Sequence, residues 1–285
     1  MRTFAATSLI VLIFRAGFLS GQTGSPTPPT AFVEVDGSRL YYEECGTGQK
    51  AVLLLHDGVV NSAVWDDVWP AFCQQFHAIR YDRRGYGRSP ATKKPYYEAD
   101  DVAALLLDRK VSQAVLVASS HGGNIALSFA LRYPAQVSGL VLIGPEAEGF
   151  PYSEHFAMSQ VAFQNAKDDP TEVRAQNTYL IVPGDDAARE HLRRLLRASP
   201  QDHKHNDMPL PEKPVFPYVR DLRMPTLILI GSGDIADNQA VAGALVMAIP
   251  GAARVVVPDT GHLMYLEKPE VFSSLVIGFL KSHGF

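Results

Sequence analysis

The sequence predicts an α/β fold: a doubly wound, mostly parallel β-sheet with a small helical lid insertion. Three observations carry the expectation. Short, continuous apolar runs such as AVLLL at Ala51 to Leu55, VLV at Val115 to Val117 and TLILI at Thr226 to Ile230 have the pattern of strands buried on both faces. Segments with apolar residues at helical spacing alternate with those runs, as parallel crossovers require. The 285 residues, 46% of them hydrophobic, can build one large core.

Taken in order, Phe32 to Val35 and Leu40 to Glu44 alternate apolar and polar around Asp36-Gly37, predicting a hairpin at a sheet edge. Ala51 to Leu55 is a central strand, and His56-Asp57-Gly58-Val59 is the loop leaving its carboxyl end. Val64 to Phe76 reads as one helix with Trp65, Val68, Trp69 and Phe72 facing the sheet. His77 to Tyr81 is the next strand, closed by Asp82 to Ser89, a turn that an Asp82-Arg84 pair would pin. Asp101 to Asp108 is a short helix. Val115 to Ala118 is a strand running into a helix that starts by Gly122 and stops before Pro134, so Ser120 falls on the bend. Val137 to Ile143 is one more strand.

The alternation then breaks. From Glu146 to Leu222 the chain turns polar, with helical pieces at His155 to Ala166, Glu172 to Tyr179 and Ala187 to Ala198 and a proline-rich return from Pro209 to Pro217. Such an insertion is expected to sit over the carboxyl edge as a lid. Phe150, Tyr152, Phe156, Met158 and Phe163 either line a pocket beneath it or pack it onto the body. His203-Lys204-His205 reads as a solvated loop rather than a metal pair. Sheet grammar resumes with Pro225 to Ile230, a helix from Asn238 to Ala248, a last strand from Arg254 to Val257, and a helix opened by Lys268-Pro269-Glu270. That last helix is expected to pack through Val271, Leu275, Ile277, Phe279 and Leu280.

The two halves 31–145 and 223–285 thus read as the core, 146–222 as the lid, and 1–30 as a leader. Arg2, the apolar run Phe4 to Phe14 and the small residues Ser20 and Gly21 have the layout of a secretory signal peptide, with Gly24 to Thr30 a flexible lead-in. The expectation is an exported, periplasmic or secreted chain without stable membrane insertion once that segment is cleaved; an N-terminal anchor or a cytoplasmic chain are the alternatives. A formal charge of -4 with no block of one sign gives no nucleic-acid surface, so a small-molecule partner is expected. Oligomeric state is not encoded legibly. Cys45 and Cys73 lie in no C-x-x-C or metal-ligand spacing, which argues against a zinc or redox site. Each reads as a small buried hydrophobe, with pairing open to an exported chain.

Ser120 is the natural focus. Ala118 and Gly122 flank it at both second neighbours, as a tight strand-to-helix corner requires if the central side chain is to be pushed out. The competing reading is a serine that caps the helix; Ser119 is the rival centre, but His121 two residues beyond it is not small. A serine hydroxyl needs a base, and that base needs a group fixing its tautomer. Loops at strand ends offer Asp234, in Gly231-Ser232-Gly233-Asp234, and His262, after Asp259-Thr260-Gly261. Asp237, Asp259 and Glu146 are the rival acids. The backbone N–H of His121, at a helix start, and that of Gly58 or Val59 are candidate oxyanion donors. The His121 imidazole is expected to face solvent or pack. His56 is expected to hold its loop by hydrogen bonds. Asp57 should point away from any oxyanion, toward Asn61 or Ser62, because its charge would oppose the one forming there.

By the H-x-G loop at His56, the D-x-R-G-x-G-x-S run from Asp82 to Ser89, the elbow A-S-S-H-G-G from Ala118 to Gly123, G-S-G-D at Asp234 and D-T-G-H at His262, the chain resembles the α/β-hydrolase superfamily over Phe32 to Phe285. Two residues depart from that pattern: Ala118 stands for the elbow glycine, and Asp57 for a glycine of the H-G-x loop. The resemblance implies a cofactor-free, metal-free serine hydrolase in which Ser120 attacks, His262 carries the proton and Asp234 orients it. It implies small carboxylic esters or lactones as substrates. Hydrolysis of a C–C bond in diketone-type acids and perhydrolysis use the same three residues, and a non-catalytic ligand-binding member is the alternative of a different class.

Overall fold

The computed structural model describes residues 30–158, 169–199 and 209–285. The chain builds one eight-stranded sheet in the order β1-β2-β4-β3-β5-β6-β7-β8. Its strands are β1 (Thr30–Val35), β2 (Ser38–Cys45), β3 (Ala51–Leu55), β4 (His77–Tyr81), β5 (Ala114–Ser119), β6 (Val137–Ile143), β7 (Thr226–Gly231) and β8 (Ala253–Val257). The β1-β2 hairpin is antiparallel, β2 lies antiparallel to β4, and all other neighbours are parallel. The doubly wound expectation holds, and its reason is visible in side-chain alternation. Leu53, Leu55, Leu116, Leu140 and Leu142 enter one core cluster while Val52, Leu54, Val115, Val117 and Val141 enter the other. Both faces of each central strand are covered, so no position can be polar and the apolar runs are continuous.

Helices α2 (Glu98–Asp108), α3 (His121–Arg132) and α6 (Ala236–Ala248) cover the first face. Helices α1 (Trp69–Gln75) and α8 (Pro269–Ser282) lie on the second, and α5 (Asp186–Ala198) joins the same core cluster through Ala188, Leu192 and Leu196. Between β6 and β7 the chain also forms α4 (Pro170–Ala175), and the short α7 (Met264–Glu267) follows β8.

Several local readings are corrected. The single helix expected over Val64 to Phe76 is a 3-10 turn at Ser62–Trp65 followed by α1, because Pro70 has no N–H to continue a helix and instead starts one. In α8 the buried stripe is Phe272, Val276 and Leu280, spaced by four, and Val271 is exposed. Arg84 does not pair with Asp82; its guanidinium takes both oxygens of Asp101 at 2.6 and 2.8 Å, a fork-on-fork geometry. Asp82 instead accepts from the N–H and hydroxyl of Ser62 and the N–H of Arg88. Phe150 and Tyr152 pack against the core, Phe150 edge-on to Phe216, while Met158 is exposed. Phe163, the His203-Lys204-His205 stretch and the leader lie outside the described residues.

Cys45 at the end of β2 and Cys73 in α1 form a disulfide, so neither packs as a free hydrophobe. The bridge closes 28 residues of chain, and loop-closure entropy of that length is worth about 3.6 kcal/mol. Replacing both cysteines by alanine is expected to lower the unfolding free energy by about that amount, read as a lower urea midpoint with a larger m-value, because the unbridged unfolded chain exposes more surface. A midpoint equal to that of the oxidised protein would refute it.

Candidate active site

Ser120 sits between β5 and α3 at φ 54 and ψ -120. An L-residue there is strained by roughly 1–3 kcal/mol and persists only if its surroundings fix it. They do so through the main chain. The Ser120 N–H donates to Ile143 O at 2.9 Å, and its carbonyl accepts from Gly123 N at 2.8 Å and Glu146 N at 3.0 Å. The hydroxyl makes no capping bond, which removes the capping reading. Ser119 is fully buried with its hydroxyl on Tyr265, so it is not a rival centre.

The flanking glycines serve neighbouring loops as much as the corner. A Cβ at Gly122 would lie 2.6 Å from His56 O, and one at Gly123 would lie 2.7 Å from the Pro145 ring. The β3 loop and the β6 loop therefore close directly onto the elbow. Ala118 carries its methyl into the core, where there is room for it.

His262 and Asp234 meet. The imidazole Nδ1 lies 2.8 Å from Asp234 Oδ2, with both residues buried. The other carboxylate oxygen accepts from Ile235 N at 2.7 Å and Asn238 Nδ2 at 2.8 Å. The β7 and β8 loops that carry them are stitched by Gly233 N–H to Thr260 O at 2.8 Å. Above them, the chain after α4 holds the histidine loop, since His262 N donates to Tyr179 O and Leu263 N to Leu180 O. Burial disfavours an imidazolium at His262, but the charge and hydrogen bond of Asp234 outweigh it, with Asp57 and Glu146 adding, and the pKa lies above the ordinary 6.5.

Gly144 joins this pair to the serine. It has φ 47, and a Cβ on it would lie 2.8 Å from His262 Nδ1 and 2.9 Å from Asp234 Oδ2. Its neighbours Ile143 and Glu146 are the residues that grip Ser120. One short turn is thus the common wall of all three sequence-derived residues. Neither Gly144 nor Asn238 stood out in the sequence; the signal was present only as a glycine at a strand end and an amide four residues after Asp234.

Of the oxyanion candidates, His121 opens α3, so its N–H has no intrahelical acceptor. Gly58 is adjacent to it: a Cβ there would be 3.8 Å from His121 Cβ. Val59 is removed, because its N–H donates to Asp57 Oδ1 at 2.5 Å. The partners of the Asp57 carboxylate are Val59, Val60 and Tyr265 rather than Asn61 or Ser62. The reason is local: a carboxylate folds back on amides two and three residues ahead in an Asx turn, while Ser62 is taken by Asp82.

His56 is structural, as expected. Its Nδ1 donates to Asp57 O and its Nε2 accepts from Arg83 N, and burial holds its pKa well below 6.5, so the ring is neutral. His121 is not a solvated ring. Its Nε2 lies 2.7 Å from Glu98 and its Nδ1 3.0 Å from Glu146, an arrangement that needs both nitrogens protonated. Burial opposes that charge, yet the two carboxylates prevail and push its pKa up to about 10. Glu98 answers in kind: burial would raise its pKa, but His121 and Arg83 bring it to about 2. Among the described residues no group of three or more metal-ligating side chains converges, and no helix is long and apolar enough to cross a membrane.

A strained serine, a buried histidine–carboxylate pair on neighbouring strand ends and the amides of His121 and Gly58 make up the candidate site. The chain is similar to the pimeloyl-[acyl-carrier protein] methyl ester esterase of Yersinia enterocolitica, with 26% identity over 258 residues covering 85% of this chain and 97% of that protein. It is 25% identical to the 2-hydroxy-6-oxo-6-phenylhexa-2,4-dienoate hydrolase of Comamonas testosteroni, covering 85% and 91%. The solved structure of Est816, described as an N-acyl homoserine lactone degrading enzyme, superposes with a TM-score of 0.73 at 28% identity, covering 87% of this chain and all of that one. The sequence profile of the alpha/beta hydrolase fold matches residues 50–269. This chain therefore belongs to the alpha/beta hydrolase fold family, as an enzyme of the carboxylic ester hydrolase kind.

Proposed function

We propose that the protein is a serine hydrolase of small carboxylic esters or lactones. Ser120 attacks the carbonyl, His262 takes its proton and returns it to the leaving group, and Asp234 holds the ring with Nδ1 protonated so that Nε2 is the base. The amides of His121 and Gly58 hold the oxyanion. The acyl-enzyme is then released by water through the same steps. The single observation carrying this reading is the Ser120 backbone at φ 54, held in strain beside the turn that also touches the His262–Asp234 pair. Ester and lactone substrates are favoured by the printed activities of the esterase and lactone-degrading relatives. The Comamonas relative favours a second reading, C–C bond hydrolysis in a diketone-type acid by the same residues. The Cys45–Cys73 bridge supports an exported chain, since disulfides persist in oxidising compartments.

The test is a fluorophosphonate label followed by one panel of short and long acyl esters, lactones and vinylogous diketone acids. Label on Ser120 with ester or lactone turnover supports the reading; turnover of the diketone acids alone moves it to the second one, and no label with no turnover ends both. The pH profile follows from His262. Protonation blocks the base, so activity falls on the acid side, and the fall is centred above the ordinary histidine 6.5 because Asp234 outweighs burial and raises the pKa of His262. The sign for stability is opposite: a raised histidine pKa stabilises fully below the unfolded value and is lost as pH rises through the folded one. A kcat/KM flat from pH 5 to 8 would count against His262 as the base.

A further inference from the structure

Asp57 is the residue of the β3 loop that the hydrolytic steps leave unexplained: a fully buried carboxylate beside a site where negative charge forms. Its contacts are complete. Oδ1 accepts from Val59 N at 2.5 Å and Val60 N at 2.9 Å, and Oδ2 accepts from the Tyr265 hydroxyl at 2.8 Å. Its main-chain carbonyl accepts from His56 Nδ1 at 2.7 Å and Arg83 Nη2 at 2.9 Å.

Tyr265 lies in α7, three residues after His262, and is itself fully buried, with its ring 4.5 Å from that of Trp65 and 5.7 Å from that of Phe272. Its hydroxyl is also 3.0 Å from Ser119 Oγ. Because a carboxylate only accepts, the single Tyr265 proton goes to Asp57 and the Ser119 proton goes to Tyr265. One rigidly packed hydroxyl therefore joins the residue before the nucleophile, the oxyanion loop and the segment carrying the histidine.

The backbone consequence is directional. A trans peptide points its N–H opposite its carbonyl. With Asp57 O tied to His56 and Arg83, the N–H of Gly58 faces the other way, and it makes no hydrogen bond among the described residues. The amides of Val59 and Val60 are spent on Asp57. Of these three amides, that of Gly58 is left to donate. The Asp57 charge also faces His262, together with Asp234 from the β7 loop and Glu146 from the β6 loop; Tyr179 meets the ring edge-on at 6.2 Å, and Tyr265 lies on its own segment.

We infer that Asp57 and Tyr265 are a positioning pair: the Tyr265 hydroxyl locks the Asp57 carboxylate under the oxyanion loop, which aims Gly58 N–H at the oxyanion and registers that loop against the one bearing His262. The inference rests on the serine hydrolase reading. Its mechanism involves no new bond to substrate; it supplies preorganisation, which lowers the barrier without tightening binding.

The experiment measures kcat and KM on a p-nitrophenyl ester from pH 5 to 9, with thermal melting, for full-length wild type, Tyr265→Phe and Asp57→Asn. Tyr265→Phe keeps the ring and is expected to lower kcat about tenfold with KM within about twofold. Asp57→Asn is expected to lower kcat further and to move the acid limb of kcat/KM to lower pH, since one negative charge facing His262 is gone. If Asp57→Asn does not fold, Tyr265→Phe decides alone. Variants that melt earlier but keep wild-type kcat and an unmoved acid limb overturn the inference and leave the hydrolase reading standing. A wild type that takes no fluorophosphonate and turns over no ester overturns that reading, and the inference with it.

Discussion

Ser120→Ala is expected to lower kcat/KM by about 10⁵-fold or more, because nucleophile and base act as a unit and what remains is oxyanion stabilisation and binding. Fluorophosphonate labelling should vanish in the same variant and persist in Ser119→Ala, whose hydroxyl is turned to Tyr265 inside the core. Single-turnover kinetics on the purified variant are the measure, since trace contamination limits steady-state rates. The elbow adds a stability arm to the test. At φ 54 and ψ -120 any residue with a Cβ is strained, and alanine is no better off than serine. Ser120→Gly, equally inactive, is expected to raise the unfolding free energy by about 1 kcal/mol relative to Ser120→Ala. Residual activity above about a hundredth of wild type would remove Ser120 as the nucleophile.

Asp234→Asn is the second large effect, expected at about 10⁴-fold in kcat. The hydrogen bonds around the carboxylate dictate the outcome. Oδ1 faces two donors, Ile235 N–H and the Asn238 amide, so the new carbonyl oxygen must sit there. The new NH2 is left facing His262 Nδ1. It donates where a carboxylate accepts, and it selects the tautomer with Nδ1 bare and Nε2 protonated. That nitrogen cannot then take the proton of Ser120. The geometry survives, so melting should change little while activity collapses; a loss under tenfold would show that another acid acting on His262, Asp57 or Glu146, carries the role. Asn238 Nδ2 also lies 3.2 Å from His262 Nδ1.

Much of the fold was legible. AVLLL, VSGLVLI and TLILIG announce strands because a sheet covered on both faces leaves no polar alternative at any position. Helix boundaries were less so. Pro70 splits one amphipathic pattern into two elements, and the packing face of α8 is the one whose Phe272 meets the rings of Trp65 and Tyr265, not the one with the larger apolar count. The charged groups were the least readable. Arg84 had Asp82 two residues away in sequence but pairs with Asp101, whose helix the fold brings alongside. Glu98 and His121 are separated by the length of α2 and by β5, and only the crossover makes them neighbours.

By itself the sequence determined the order of strands and helices, the serine at a corner, and histidine and aspartate at two later strand ends, because hydrophobic periodicity and turn chemistry are local properties of the chain. The tertiary structure decided what those residues touch: that Gly144 leaves room for the imidazole, that His121 is an imidazolium between two carboxylates, and that Asp57 hangs from a tyrosine 208 positions away. Hydrogen bonds and charge balance depend on distance in space, and that is fixed only when the sheet brings its loops to one edge.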